Sequence, residues 1–423
     1  MKVVRFFLQS ALEIFRGGRV YWTWVAMLGF LALVGLYCYV YQFQVGALHS
    51  TDLGEEVPWG IYIANFAFMV GIAAAAVMLV IPAYIFHQES IKEVVIMGEV
   101  IAATACIMCI LFILASLGRP DRLWHILPFI GRLNFPSSML AWDVVVINTY
   151  LILNLIIPTY MLYTKFEGRE PNPKIYFPLV LLSIFFAISI HTVTAFLFSS
   201  NVSRPFWHSS ILGPRFLASA FSSGPAFMIL ILQVIDRQTK LKVSAKVIES
   251  LALITAVALQ ISLFLLGAEF FTDFYSQTQH ASSIQYLFFG LEGHNHLVPW
   301  IWTAVALNVT AVFILSVHKL RNNKLFLNIA CLLLIVGIWI EKGMGLVIPG
   351  FIPSPLGDIV EYSPSIYEIG VCVGIWAIGG LIFTFLAKMT VPIEIGAFRK
   401  ERLSEKDPHW GKQTANRMIN VAD

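Results

Sequence analysis

Residues 57–87 read VPWGIYIANFAFMVGIAAAAVMLVIPAYIFH. The run is longer than the roughly 20 apolar residues that cross a hydrocarbon core, and it carries no Asp, Glu, Lys or Arg. Pro58 and Trp59 open it, proline suiting a first helical turn and tryptophan the membrane interface. Gly71 with the alanines at 73–76 makes a small-residue face on which another helix packs closely. The one strongly polar side chain, Asn65, lies two turns in, about 10 Å along the axis by helical rise. The stretch therefore predicts a membrane helix with a polar group aimed at a partner.

Composition extends that reading to the whole chain. Of 423 residues 58% are hydrophobic and 13% charged, about half the charge of a soluble domain. Apolar runs recur at about 21–43, 94–116, 140–163, 175–199, 212–235, 244–270, 298–318, 325–348 and 365–389. With 59–87 they make ten spans. Residues 1–20 are basic and amphipathic, suited to a helix lying on the membrane surface. The transmembrane domain is expected over 21–389 and a polar, cytoplasmic tail over 390–423. All five cysteines (Cys38, Cys106, Cys109, Cys331, Cys372) fall within apolar runs. An odd number with none in a loop argues against a disulfide framework, and the Cys106-x-x-Cys109 pair reads as two small apolar residues.

An even number of spans puts both termini on one side. Of 28 Lys and Arg, 22 fall on that side, five (Arg119, Arg122, Arg132, Arg204, Arg215) on the other, and Lys342 inside a span. The positive-inside rule then expects cytoplasmic termini. Two sequence echoes, Val57-Pro58-Trp59 with Val298-Pro299-Trp300 and Arg119-Pro120 with Arg204-Pro205, suggest two related four-helix bundles, spans 2–5 and 6–9, flanked by spans 1 and 10. The expected fold class is an all-α integral membrane protein with ten transmembrane helices.

Polar groups inside a membrane are costly and mark functional sites by default. Asn65, Asp143, His191, Glu269, Glu341 and Lys342 all fall in the outer halves of their spans, and Glu99 falls in an inner half. Plainer readings exist for each. Asp143 and Glu269 lie near helix ends, Asn65 and His191 can bridge neighbouring helices, and adjacent Glu341 and Lys342 do not face one another on a helix. Their shared depth points instead to a polar pocket opening outward. Haem in a bundle wants facing histidines, and only His191 is well inside a span. No cysteine or histidine spacing suits an iron–sulfur cluster or zinc, and the outer pair His294-x-His296 reads first as interfacial. An amide, carboxylates and an imidazole walled by aromatics suit a quinone, whose carbonyls need donors and whose reduction needs proton exchange. Without a metal of its own, such a subunit must pass electrons to a redox partner at its outer surface.

Trp59-Gly60 through Asn65-Phe66, then Gly71 and the alanines, resembles the second-span signature of the NrfD-like, or polysulfide reductase membrane subunit, family. Leu117-Gly118-Arg119-Pro120, Ala141-Trp142-Asp143, His191-Thr192-Val193-Thr194, Arg204-Pro205-Phe206-Trp207 and Glu341 ahead of Pro349-Gly350 support it. The similarity covers about residues 55–390. Runs such as HTVTAFLFSS and PRFLASAFSSGPA look most like the DsrP branch, from the Dsr electron-transfer complexes of sulfur-metabolising prokaryotes. The resemblance implies a quinone-interacting subunit, usually with menaquinone, holding neither haem nor iron–sulfur cluster. It implies an outer-face (periplasmic) iron–sulfur partner, and for that branch cytochrome and cytoplasmic iron–sulfur subunits as well. Carried over by position, Asn65, Asp143 and His191 become the quinone-pocket residues. Trp59, Asp121 and His125 accompany them, and Glu269, Glu341, Glu99 and Lys342 are proton-relay candidates. The alternatives are a proton-translocating subunit and a passive membrane anchor without a quinone site. No nucleic-acid partner is expected.

Overall fold

The computed structural model describes residues 2–86, 88–127, 130–276, 280–354 and 356–397. His87, at the far end of the opening stretch, and the tail beyond residue 397 lie outside these. Among the described residues ten helices are long and apolar enough to cross a membrane. They are span 1 (Arg19–Val45), span 2 (Ile61–Ile85), span 3 (Val94–Ser116), span 4 (Met139–Phe166), span 5 (Pro173–Ser199), span 6 (Leu212–Gln238), span 7 (Ala245–Ser276), span 8 (Val298–Ser316), span 9 (Lys324–Phe351) and span 10 (Ile366–Glu394). The chain is a multi-pass integral membrane protein.

Burial separates the spans into an inner and an outer set. Spans 2 and 3 are the most enclosed, whereas spans 1, 8 and 10 expose most of their surface. Span 2 packs along span 3, span 3 along span 4, span 4 along span 5, and span 5 returns to span 2. Spans 6, 7, 8 and 9 follow one another in the same way, span 9 returning to span 6. Span 1 lies along span 10, which also covers span 3. The N-terminal helix Lys2–Leu12 tucks Phe6 against Tyr163 and Phe166 of span 4 and leaves Phe7, Leu8 and Leu12 exposed.

The alanine face of span 2 meets span 6. Gly71 lies beside Ala220 and Ser223, and Gly224 lies against Ala75. Lipid offers no hydrophobic drive between helices, so such close small-residue contacts carry their association. A Cβ at Gly224 would stand 3.1 Å from the Ala75 Cα and 3.2 Å from the Gly71 carbonyl oxygen, both backbone atoms with little room to yield. Gly224→Ala is expected to cost about 1–3 kcal/mol by overpacking, read as a lower unfolding midpoint in detergent. An unchanged midpoint would mean that spans 2 and 6 stand further apart.

Span 2 is not a regular helix. A 3-10 turn interrupts it at Ala74–Ala76, and a π turn holding Pro82 ends it at Ile81–Ile85. At the first break the Val77 N–H bonds the carbonyls of Ala74 and Ala75, while the Tyr150 hydroxyl of span 4 donates to the Ala73 carbonyl at 3.2 Å. Short 3-10 and π segments inside a membrane helix need such outside partners.

The opposite end of span 2 is pinned by a buried knot. The Glu368 carboxylate accepts from the Tyr362 hydroxyl at 2.5 Å, the Ser365 N–H at 2.9 Å and the Asp52 N–H at 3.1 Å. The Tyr362 oxygen in turn accepts the Ile61 N–H at 3.1 Å. Ser365 and Glu368 also form a capping box at the start of span 10. This end, called the Trp59 face below, carries the loops in which the candidate site is built.

Candidate functional site

Aromatic rings close the Trp59 face. Trp59 stacks on Trp207 with centroids 5.5 Å apart and planes 23° from parallel. Phe198 stands edge-on to both, at 5.6 and 5.3 Å, and Phe351 meets Trp207 at 4.9 Å. The Trp207 indole N–H donates to the Leu346 carbonyl at 2.8 Å, and its ring occupies the space a Cβ at Gly350 would need. The glycine of the Pro349-Gly350 pair is thus explained by a close ring contact. Below this layer Phe198 leans on Phe216, whose ring lies 4.2 Å under the Lys342 ammonium. The Trp300 of the echoed motif is exposed, so the two Val-Pro-Trp starts share interface chemistry and not a site.

Asn65 does not offer a free wall to a pocket. Its Oδ1 accepts from two indoles, Trp339 of span 9 at 3.1 Å and Trp376 of span 10 at 3.0 Å. Its Nδ2 donates to the Ile61 carbonyl at 2.8 Å and faces the Cys372 sulfur at 3.6 Å. An Asn side chain has two donors and two acceptor sites, and here all four are taken. Asn65 clamps spans 2, 9 and 10 together. Asn65→Leu is expected to cost about 1–3 kcal/mol by leaving two indole N–H groups unpaired. Thermal unfolding in detergent measures this, and a midpoint equal to wild type would show the clamp to be dispensable.

Asp143 and His191 are arranged differently. Asp143, in the second turn of span 4, accepts from the Thr194 hydroxyl of span 5 at 3.1 Å through Oδ1. The same hydroxyl lies 2.8 Å from the Ile190 carbonyl. The hydroxyl proton is thus shared between the Asp143 carboxyl and the Ile190 carbonyl in a three-centre arrangement. Asp143 Oδ2 has no hydrogen-bond partner, nor has either ring nitrogen of His191. His191 is fully enclosed and Asp143 is nearly so. Buried polar atoms are almost always paired, and each exception asks for an explanation. Lys342 lies within electrostatic reach of His191 and of Cys109, and Cys109 within reach of Asp143.

The carboxylates of spans 7 and 9 are paired by a residue that composition misplaces. Arg215, counted by charge on the outer side, sits in the first turn of span 6, only 7% exposed. Its guanidinium bonds Glu269 through Nη1 and Glu341 through Nη2, the second at 3.0 Å. Asn308 of span 8 donates to the other Glu341 oxygen at 3.0 Å. Glu341 and Lys342, adjacent in sequence, point to different partners as helical geometry requires. Lys342 donates to the Phe216 carbonyl at 3.5 Å. With Glu269 and Glu341 as anions, Arg215 and Lys342 cancel their charge. The signal for Arg215 was in the sequence, because position 215 falls inside the apolar run beginning at 212. Asn308 gave no signal beyond being a polar residue in a span.

The remaining candidates lie elsewhere. Glu99 of span 3 is buried with Oε2 unpartnered, in electrostatic reach of Tyr84, Tyr150 and Glu394. Glu394 at the end of span 10 pairs with Lys165 at 2.6 Å. Asp121 and His125 are not joined to Asp143 or His191: both are exposed on the 3-10 turn Pro120–Ile126. Arg119 grips Asp121 with two bonds of 2.9 Å, which hold that carboxyl below its ordinary range. His125 rests edge-on against Trp124. His294 and His296 both turn Nδ1 to Glu361, at 3.3 and 3.4 Å. Partial burial raises the Glu361 carboxyl, but the His296 N–H and His294 outweigh it and hold the group below its ordinary range. Among the described residues no cluster of three or more His, Cys, Asp or Glu suits a metal ion.

Residues 49–352 match the family model described as polysulphide reductase, NrfD. The chain belongs to this family. This chain is 26% identical over 403 residues to the putative membrane subunit of dimethyl sulfoxide reductase from Halobacterium salinarum, covering 85% of this chain and 88% of that one. It is 25% identical to the Hdr-like menaquinol oxidoreductase integral membrane subunit of Archaeoglobus fulgidus, covering 87% and 93%. It is 23% identical to a selenate reductase subunit of Mesobacillus selenatarsenatis, covering 89% and 94%. The first two are named as membrane subunits and the third as a reductase subunit, and the matches run almost the full length of each.

Proposed function

We propose that this NrfD-family chain is the quinone-reactive membrane subunit of a respiratory redox complex. It exchanges electrons between menaquinol or menaquinone, held near Asp143, Thr194 and His191, and an external iron–sulfur subunit docked on the Trp59 face. One observation carries the reading: Asp143 Oδ2 and both His191 ring nitrogens are buried without partners. Each such group costs about 1–3 kcal/mol unless something takes it. Donor and acceptor atoms of this kind fit a quinone head group, which supplies two-electron, two-proton chemistry when bound. His191 would donate one ring N–H to a head-group oxygen. Asp143 holds or releases a proton at Oδ2, while Thr194 fixes its other oxygen. Lys342, held over the Phe216 ring, brings positive charge within reach of His191 and stabilises negative charge arising there. Spans 4 and 5 keep exposed apolar side chains on their outer surfaces, including Ile152, Phe185, Ile188 and Phe196, a lipid-facing surface along which an isoprenoid tail would lie.

The choice of menaquinone is supported by the name of the Archaeoglobus relative and by the family resemblance. The DsrP-like runs favour a sulfur-metabolising complex with cytochrome and cytoplasmic iron–sulfur subunits. Among the described residues, moving Arg215 into the membrane leaves four arginines on the Trp59 face against 16 basic residues opposite, which favours the Trp59 face as the outer one. Solvent extraction of the purified protein is expected to yield about one menaquinone per chain. A preparation that holds none, even after incubation with excess menaquinone analogue, would leave the proton-translocating and passive-anchor readings. Proton movement coupled to this chemistry is favoured by Glu99, whose open Oε2 is buried within electrostatic reach of Glu394 and Tyr150. Proton uptake by vesicles during quinol turnover is expected to fall in Glu99→Gln. Equal uptake would remove Glu99 from the path.

A further inference from the structure

On the face opposite Trp59 a cavity of about 490 Å³ opens between the start of span 7 and the segment leading into span 3, beneath the turn joining spans 8 and 9. That volume is in the range of small-molecule sites, about 300–1,000 Å³. Its lining includes Lys246, Glu249, Ser250, Leu253 and Arg321. Arg321 uses Nη1 on the Leu315 carbonyl at 2.9 Å, and Nη2 meets His318 Nδ1 only at 3.5 Å. Its Nε is buried and has no partner. Among the described residues no ion pair joins Lys246, Glu249 or Arg321 to one another or to other groups. The cavity thus holds two unspent cations, one carboxylate and a guanidinium donor still open.

Its depth says what such a set is for. Lys246 is the second residue of span 7, and Arg321 lies three residues before span 9, so both stand at the edge of the apolar zone. Basic pockets at this level meet lipid phosphates. Directly along span 7 from the cavity run Leu253, Val257, Ile261 and Phe264, all exposed and spaced four, four and three residues apart, hence on one helix face. From Leu253 to Phe264 is about 16 Å by helical rise, close to half of the roughly 30 Å hydrocarbon core. The cavity and the strip together match a head group and one acyl chain of a single leaflet.

We propose that this cavity seats a membrane glycerophospholipid whose head group carries a hydrogen-bond donor, as an ethanolamine ammonium or a glycerol hydroxyl does. Its phosphate lies between Lys246 and Arg321, its head-group donor faces Glu249, and one acyl chain follows the span 7 strip. Native mass spectrometry of the delipidated full-length protein tests this by titration with phosphatidylethanolamine, phosphatidylglycerol or phosphatidylcholine of identical chains. Retention of one lipid is expected at several-fold lower concentration for the first two than for phosphatidylcholine. Lys246→Gln with Arg321→Gln is expected to weaken retention about tenfold or more. Lys246→Gln alone, which leaves the Arg321–Leu315 bond intact, is expected to weaken it severalfold. Glu249→Gln is expected to remove the preference over phosphatidylcholine while phosphate-dependent retention persists. Equal retention of all three lipids by wild type, unchanged retention in the cation variants, or displacement of the lipid by millimolar inorganic phosphate would each overturn the proposal.

Discussion

Arg215→Met is expected to destabilise the chain by about 3–5 kcal/mol, the usual cost of removing one partner from a buried ionic set. The guanidinium serves two carboxylates at once, Glu269 and Glu341, and all three side chains are nearly closed off from solvent. Loss of the cation leaves Glu341 with the single bond from Asn308 and the cluster with one net negative charge in a low-dielectric interior. Removing the whole set has a different outcome. Arg215→Met with Glu269→Met, Glu341→Met and Lys342→Met replaces all four charges by apolar volume, which in buried ion pairs is often neutral or stabilising. The quadruple variant is therefore expected to be more stable than the single one, a non-additivity typical of residues in one network. Chemical or thermal unfolding in detergent reads both. A single variant as stable as wild type would show that the three groups are not paired in the membrane.

Asp143→Asn is expected to lower quinol turnover of the assembled complex by a factor of 100 or more. Loss of a positioned proton-transfer group costs about 10²–10⁴ in rate. The asparagine retains the size of the carboxyl and a contact to Thr194, so assembly and stability stay close to wild type and the loss falls on the chemistry. His191→Leu is expected to act on binding more than on rate, because the imidazole contributes the donor to the head group. Turnover with a menaquinol analogue, taken as a function of quinol concentration, separates the two. Asp143→Asn lowers kcat, and His191→Leu raises KM. Wild-type values in both variants would dissociate these residues from quinone chemistry.

Much of this architecture was legible in residue order. Ten apolar runs became ten helices because a membrane span leaves little freedom: each backbone group is satisfied within its own segment. The depth of the polar groups was legible too, since helical rise converts position into distance from a span end. What residue order does not hold is which polar groups meet. Asn65 carries the strongest motif, yet its amide is consumed by Trp339 and Trp376 from spans more than 270 positions away. Arg215 counts as an outer-side cation because it stands one turn inside span 6, at the boundary where charge counting is blind. Asp121 and His125, adjacent in the motif to buried elements, lie on the exposed 3-10 turn Pro120–Ile126. Pairings across helices are set by packing among spans, and period and composition within one span do not encode them.

Equilibrium binding of a menaquinone analogue to the purified protein tests the central claim most directly, with His191→Leu and Asn65→Leu compared at a temperature where both remain folded. The placement of the site at Asp143, Thr194 and His191 predicts about one molecule bound per wild-type chain. It predicts about tenfold weaker binding in His191→Leu, the equivalent of about 1.4 kcal/mol, and near-wild-type binding in Asn65→Leu, whose amide is spent on two indoles. Undiminished binding in His191→Leu together with loss of binding in Asn65→Leu would contradict it.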